Sequence, residues 1–246
     1  MTEGVHFLDA RAPEGMRLYA IGDIHGRRDL IERMHGAIGE DLARDPPADW
    51  RIIHLGDYTD RGPDTKGVLD FLVAAGKRDS RVLSIAGNHD VGMLEFLDRP
   101  DIDSLFAHYG GKQTARSYGV DIDFANRASM LKGHAELLEA IPEAHFTFLK
   151  TLPFWVAFGD YYFCHAGVRP GVALDAQDSE DLMWIRDDFH NYPGLLPKVV
   201  VHGHTPVGEA EFHANRVNVD TTAVLSGVLT AFVADGEQKR LLQVEG

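Results

Sequence analysis

The chain has 246 residues, 44% hydrophobic and 25% charged, enough for one large domain or two small ones with a sizeable core. That balance excludes collagen, disordered tails and disulfide miniproteins, and 25 glycines with 11 prolines imply many loops between short elements. With 24 basic and 38 acidic side chains the net charge is −14, which excludes bulk nucleic-acid binding unless a bound metal reverses the sign locally; the single Cys164 excludes an intramolecular disulfide and a cysteine-rich zinc site.

The N-terminal stretch carries Glu3, Asp9 and Glu14 and lacks the basic start and apolar run of a signal peptide. No stretch approaches the roughly 18 apolar residues of a membrane span. Both absences predict a cytoplasmic protein without membrane contact. Residues 17–22 read as a short buried strand. After Gly26 the spacing predicts a helix with Leu30, Ile31, Met34, Ile38 and Leu42 on one face, stopped by Asp45-Pro46-Pro47. The pattern then repeats. A strand at 52–55 runs into Gly56-Asp57 and a helix at 66–75, and a strand at 81–86 runs into Gly87-Asn88-His89-Asp90 and a helix at 91–97. Strand, polar loop and helix three times over predict a parallel βαβαβ sheet, whose ligands bind outside the carboxyl ends of the strands.

Residues 98–152 read as helical pieces broken by Gly110-Gly111, Gly119 and Pro142. No linker composition sets them apart, so they are a helical insertion that shapes substrate access, and 1–246 is one domain. From 154 onward strands return. Residues 154–158 and 161–165 flank Gly159-Asp160 as a hairpin, 199–201 lead into His202-Gly203-His204, and 224–233 and 240–244 flank Asp235-Gly236. The second half is therefore expected to be mainly antiparallel.

Five loops after these strands hold most of the metal-competent side chains: Asp23 and His25; Asp57 and Asp60; Asn88 and His89; His165; His202 and His204. An Asp, His and Asn set without thiolate suits a pair of divalent ions such as Mn, Fe or Zn. Two ions roughly 3.5 to 4 Å apart need a bridging carboxylate. Any one of these residues alone is ordinary turn chemistry, since Asp after Gly is common at a strand end. Three such loops after three successive strands favour the metal reading. His54, inside a strand, reads as a packed core residue; His6, His35, His108, His134, His145, His190 and His213 read as surface or structural. Cys164 reads as a small buried apolar group.

The segments Gly22-Asp23-Ile24-His25-Gly26, Gly56-Asp57-Tyr58-Thr59-Asp60-Arg61-Gly62 and Gly87-Asn88-His89-Asp90 together resemble the three-part signature of the calcineurin-like metallophosphoesterases. Within that superfamily the chain is similar to the serine/threonine phosphoprotein phosphatase branch in its compact bacterial form, over about 17–220. The resemblance implies an α/β fold, an αββα sandwich of two mixed β-sheets flanked by helices. It also implies a dinuclear centre, with manganese expected first and iron or zinc as alternatives. Asp23 and His25 would hold the first metal, Asp57 would bridge, and Asn88, His165 and His204 would complete the second. His89 would be the general acid, with Asp60 holding its tautomer. Arg61, Arg186 and Asn88 would bind phosphate oxygens, the arginines through planar forks that match that geometry. A water would be the nucleophile, so no phosphoenzyme is expected.

Pro206 occupies the place of the second histidine in a Gly-His-x-His run, so the first metal should lack that ligand, and His202 has no family role. Arg186 beside Asp187 and Asp188 could equally form a solvated ion pair. Asp220 could support a metal-bound histidine or serve a turn. The activity implied is metal-dependent hydrolysis of a phosphoric monoester on phosphoserine or phosphothreonine, the partner being a phosphoprotein or a phosphorylated small molecule. One alternative is a dinucleoside polyphosphate hydrolase, against which stands the Gln those enzymes usually show where this chain has His25. Another is a non-catalytic scaffold, against which stand His89, Asp60 and Arg61.

Overall fold

A computed structural model describes residues 4–246; Glu3 of the acidic N-terminal stretch lies outside the described residues. Strands β1 (Met16–Ile21), β2 (Asp49–His54) and β3 (Val82–Ser84) alternate with helices α1 (Arg28–Arg44), α2 (Thr65–Arg78) and α3 (Asn88–Asp98). β1 pairs with β2 and β2 with β3, both in parallel, as three strand-loop-helix units require. Every regular element of the insertion is a helix: α4 (Leu105–His108), α5 (Gly111–Ser117), α6 (Arg127–Ala140) and α7 (Glu143–Lys150). The second half supplies β4 (Trp155–Phe158), β5 (Tyr161–Cys164), α8 (Ser179–Trp184), α9 (Asp187–His190), β6 (Val199–His202), β7 (Glu211–Phe212), β8 (Arg216–Asn218), α10 (Ala223–Ser226), β9 (Val228–Asp235) and β10 (Gln238–Glu245).

Two five-stranded mixed sheets result, in the orders β10-β9-β1-β2-β3 and β4-β5-β6-β8-β7. The second half is mainly antiparallel, as expected, except at the centre of its sheet. β4–β5, β7–β8 and β9–β10 are antiparallel, but β5–β6 and β6–β8 are parallel and form the centre of the second sheet. The run at 224–233 is also not strand throughout. Thr222 and Gly227 both adopt left-handed backbone and enclose the single turn α10, so the strand starts only at Val228.

Alternation along each strand builds the layers. Tyr19 and Ile21 of β1 join the helix-side core with Leu30, Ile31, Met34 and Ile38 of α1, whereas Leu18 and Ala20 face the second sheet. There they meet Tyr161, Phe163, Val199 and Val201. Tyr162, Cys164 and Val200 point the other way, under Leu182 of α8, Phe189 of α9 and Ile185 between them. Helices, sheet, sheet and helices therefore stack as an αββα sandwich. Each fully buried Leu, Ile or Phe contributes roughly 1.5–3 kcal/mol of transfer free energy. Phe106, Ala115, Ile122, Met130, Leu137 and Leu149 of the insertion belong to the same apolar cluster as α1 and α2.

His54 is fully buried, as expected of a core residue. Its Nδ1 faces the Leu83 carbonyl at 2.9 Å and its Nε2 meets His35 Nε2 at 2.9 Å, so two neutral imidazoles share one hydrogen bond. Burial pushes His35 down to about 4. The unfolded chain therefore takes up a proton near 6.5 that the folded chain refuses until about 4. Stability from this pair is complete above pH 6.5 and falls as pH drops toward 4, by about 1.4 kcal/mol per pH unit for each imidazole. Urea melts of metal-free protein between pH 7 and 4.5 should show a shallower acid loss in His35→Gln than in the wild type. Equal slopes would contradict the assignment.

Candidate active site

The site is built where β1, β2, β3, β5 and β6 end. Backbone bonds tie the first two loops together: Ile24 and His25 N–H donate to the Asp57 carbonyl at 3.2 and 2.8 Å, and Gly26 N–H to the Tyr58 carbonyl at 3.0 Å. At Gly62 any Cβ would overlap the His25 carbonyl, so the loops touch backbone to backbone and only glycine fits. The third loop is organised by Asp90, whose role the sequence reading did not see. Its Oδ2 accepts from Gly87 and Asp57 N–H at 2.9 Å, and its Oδ1 from Tyr58 N–H at 2.9 Å and Thr59 N–H at 3.3 Å. Part of the signal was available: Asp90 at the third helical position reaches back to the N-cap Gly87 N–H, one half of a capping box, and α3 starts at Asn88 and not at 91. Among the described residues six non-glycines have positive φ, and five of them are here: His25, Asp57, Asp60, Arg61 and His204. Left-handed backbone costs about 1–2 kcal/mol per residue, so the surrounding bonds hold a strained cradle.

Asp23, His25, Asp57, Asn88, His165 and His204 are all buried and converge. Two groups lie within metal-binding reach, His25 with Asp57 and His89, and Asp23 with Asp57 and His165. His25 turns Nδ1 to the Thr59 carbonyl at 2.7 Å, leaving a buried, unpartnered Nε2 that lies 3.4 Å from Asp57 Oδ2. His165 turns Nδ1 to the Leu55 carbonyl at 2.8 Å, and its Nε2 lies 2.9 Å from Asn88 Oδ1 and 3.3 Å from Asp57 Oδ1. Burial lowers this imidazole, but Asp57 and Asp23 outweigh it and push it up to about 10, so a metal ion there would displace a proton. His204 Nδ1 lies 2.9 Å from the same Asn88 oxygen. Backbone carbonyls that fix the far nitrogen of a ring, and acceptor atoms crowded against one another, are the arrangement a cation resolves. The donor set therefore fits divalent metal.

The pocket's electrostatics are those of carboxylates and imidazoles crowded together without a cation. Burial pushes Asp57 up, but His165, His89 and His25 outweigh it and hold the carboxyl well below its usual range. Burial and the neighbouring Asp220 raise Asp23. Burial drives His25 down to about 3 and, with His165 beside it, His204 to about 2, so both rings present lone pairs at neutral pH.

His89 projects from the first turn of α3. Its Nδ1 lies 2.8 Å from Asp60 Oδ2, and its Nε2 lies 2.8 Å from the Arg61 guanidinium. Burial lowers this imidazole, but Asp57 and Asp60 outweigh it and leave the net shift upward. Arg61 and Arg186 are both exposed. Arg186 caps α9, and its charge reaches both His204 and His190. Trp184, 39% exposed, sets its ring edge-on to His204 at 5.8 Å.

His202 turns away from this cluster, with Nδ1 on the Gly203 carbonyl at 3.0 Å and its ring 5.4 Å from His190. Asp220 serves a turn: its Oδ1 accepts the Thr222 N–H at 3.0 Å. Cys164 is buried, its thiol donating to the Gly167 carbonyl at 3.3 Å. Two apolar grooves of about 460 and 440 Å³ open between helices, one beside Phe148 and one beside Trp50. Neither reaches the strand ends, so convergent polar groups mark this site better than cavity size does.

A family model described as calcineurin-like phosphoesterase matches residues 16–232, and the chain belongs to that family. It is a metallophosphoesterase hydrolase. Among curated relatives, a bis(5'-nucleosyl)-tetraphosphatase of Bacillus thuringiensis is 24% identical over 88% of this chain and 89% of its own length. One from Bacillus cereus is 26% identical over 87% and 89%. Among solved structures, a candidate diadenosine tetraphosphatase superposes with TM-score 0.67 at 21% identity, covering 96% of this chain and 98% of its own. A serine/threonine phosphatase of Saccharomyces cerevisiae gives 0.52 at 13%, covering 98% and 85%. No helix is long and apolar enough to cross a membrane.

Proposed function

We propose that this single-domain chain is a phosphoric monoester hydrolase of the serine/threonine protein phosphatase type. The observation that carries the reading is the His89–Asp60 pair, 2.8 Å apart, which engages one nitrogen of a ring that also lies within reach of the donors His25 and Asp57. An alkoxide such as that of serine is a poor leaving group and needs a proton as it departs, whereas a nucleotide phosphate leaves with little help. In this reading Asp23, His25 and Asp57 hold one divalent ion, and Asp57, Asn88, His165 and His204 hold the other. Bound there, the ions supply Lewis acidity, lowering the pKa of water and offsetting charge at phosphorus. Asp60 holds His89 Nδ1–H, and Nε2, which accepts from Arg61 in this structure, is the atom that would carry the proton to the leaving oxygen once Arg61 turns to the phosphoryl group. Arg61, Arg186 and the Asn88 amide grip the phosphoryl oxygens. Manganese is our first choice of ion, iron or zinc the next, and the cytoplasm the compartment.

A second reading, hydrolysis of dinucleoside polyphosphates, is favoured by the names of the curated relatives. It has as much support from the relatives as the first has from the acid pair, and the argument from His25 does not outweigh it. Purified protein loaded with Mn²⁺ and given phosphoserine peptides and diadenosine tetraphosphate side by side should show the higher kcat/KM on the peptides. A higher value on the dinucleotide would replace the first reading with the second. Failure on both, and on nitrophenyl phosphate, would favour a scaffold.

A further inference from the structure

Thr114 belongs to α5 of the insertion, more than 50 residues from Asp60 in sequence, and is fully buried against it. The Asp60 N–H donates to Thr114 Oγ1 at 2.8 Å, and Thr114 O–H donates back to Asp60 Oδ1 at 3.0 Å. Thr65 Oγ1, 3.0 Å away, takes up the remaining capacity of the hydroxyl. One side chain from the insertion thus holds both the backbone and the carboxylate of Asp60, while the other carboxylate oxygen faces His89. Asp60 and Arg61 have φ of 68° and 63°, so this loop relaxes unless it is held. The same insertion reaches the loop a second time at Gly110, which packs so closely on the Arg61 backbone nitrogen that any Cβ would overlap it.

We infer that Thr114 is a positioning residue for the proton donor: it fixes Asp60, and through Asp60 the tautomer and aim of His89. The helical insertion is then part of the acid's support as well as a cover over the sheet. The inference rests on the reading of His89 as the acid.

The test compares Thr114→Val, which keeps the shape and removes the hydroxyl, with Thr114→Ser and His89→Asn, all loaded with Mn²⁺. In the valine variant turnover of an alkyl phosphate should fall by about 10- to 100-fold, that of nitrophenyl phosphate by less than about threefold, with KM and metal content near wild type. Thr114→Ser should recover most of the alkyl rate, which a loss of packing alone does not predict. Should the valine variant misfold, Thr114→Ala is read in the same way. If His89→Asn discriminates between the two esters but the hydroxyl-free variants do not, the positioning role is overturned alone. If His89→Asn slows both esters equally, the acid reading falls and this inference with it.

Discussion

Asp57→Asn is expected to lose metal and activity together, with turnover down by about 10⁴-fold or more and fewer than two ions retained per chain. Asp57 is common to both candidate ligand groups, its Oδ2 3.4 Å from His25 Nε2 and its Oδ1 3.3 Å from His165 Nε2. Asparagine has nearly the same shape, and its oxygen can still accept the His89 N–H that Oδ1 takes at 3.0 Å, so the fold should survive. What disappears is the one carboxylate common to both ligand groups, in a pocket where burial already penalises every unpaired charge. Metal analysis of protein purified without chelator, alongside nitrophenyl phosphate hydrolysis, checks this. Retention of two ions with activity within tenfold of wild type would remove Asp57 as the bridge.

His89→Asn should leave the metal content unchanged and act through the leaving group. Alkyl phosphates are expected to slow by about 10²- to 10⁴-fold, the usual worth of a positioned acid. Nitrophenyl phosphate, whose phenolate departs readily, should slow by less than about tenfold. The argument is geometric. His89 Nδ1 is committed to Asp60, so only Nε2 can face a substrate; Arg61 beside that nitrogen draws an anionic oxygen toward it, while Asp57 and Asp60 outweigh burial and Arg61 and favour the protonated ring. Equal slowing of both esters would mean that His89 serves binding or packing instead.

The parts of the site that could be read from the chain were those where chemistry and local order coincide. Asp23, His25, Asp57, Asn88 and His89 each follow a short apolar strand within a few residues, and the strand ends bring them together. His202 and His204 could not be separated this way. They are two positions apart on one strand and its exit, and left-handed backbone at His204 turns its ring to Asn88 while His202 points to His190. Asp90 and Thr114 were missed because their work is long-range. Asp90 binds the backbone of another loop, and Thr114 binds Asp60 across the insertion. The parallel centre of the second sheet was hidden for a similar reason. Valines at 199–201 are buried on both faces and show no alternation, so their sequence does not say which strands they pair with or in what direction.

The β9–β10 hairpin pairs with β1, so the strand that carries Asp23 has its neighbour on one side more than 200 residues downstream. Gly22 itself, at the exit of β1, donates its N–H to the Thr230 carbonyl at 3.0 Å. During synthesis on the ribosome β1 therefore keeps an open edge until β9, more than 200 residues later, has emerged. The cradle can close only then, and a stop codon shortly before Val228 would yield a protein with every catalytic side chain named above and no finished place to hold them.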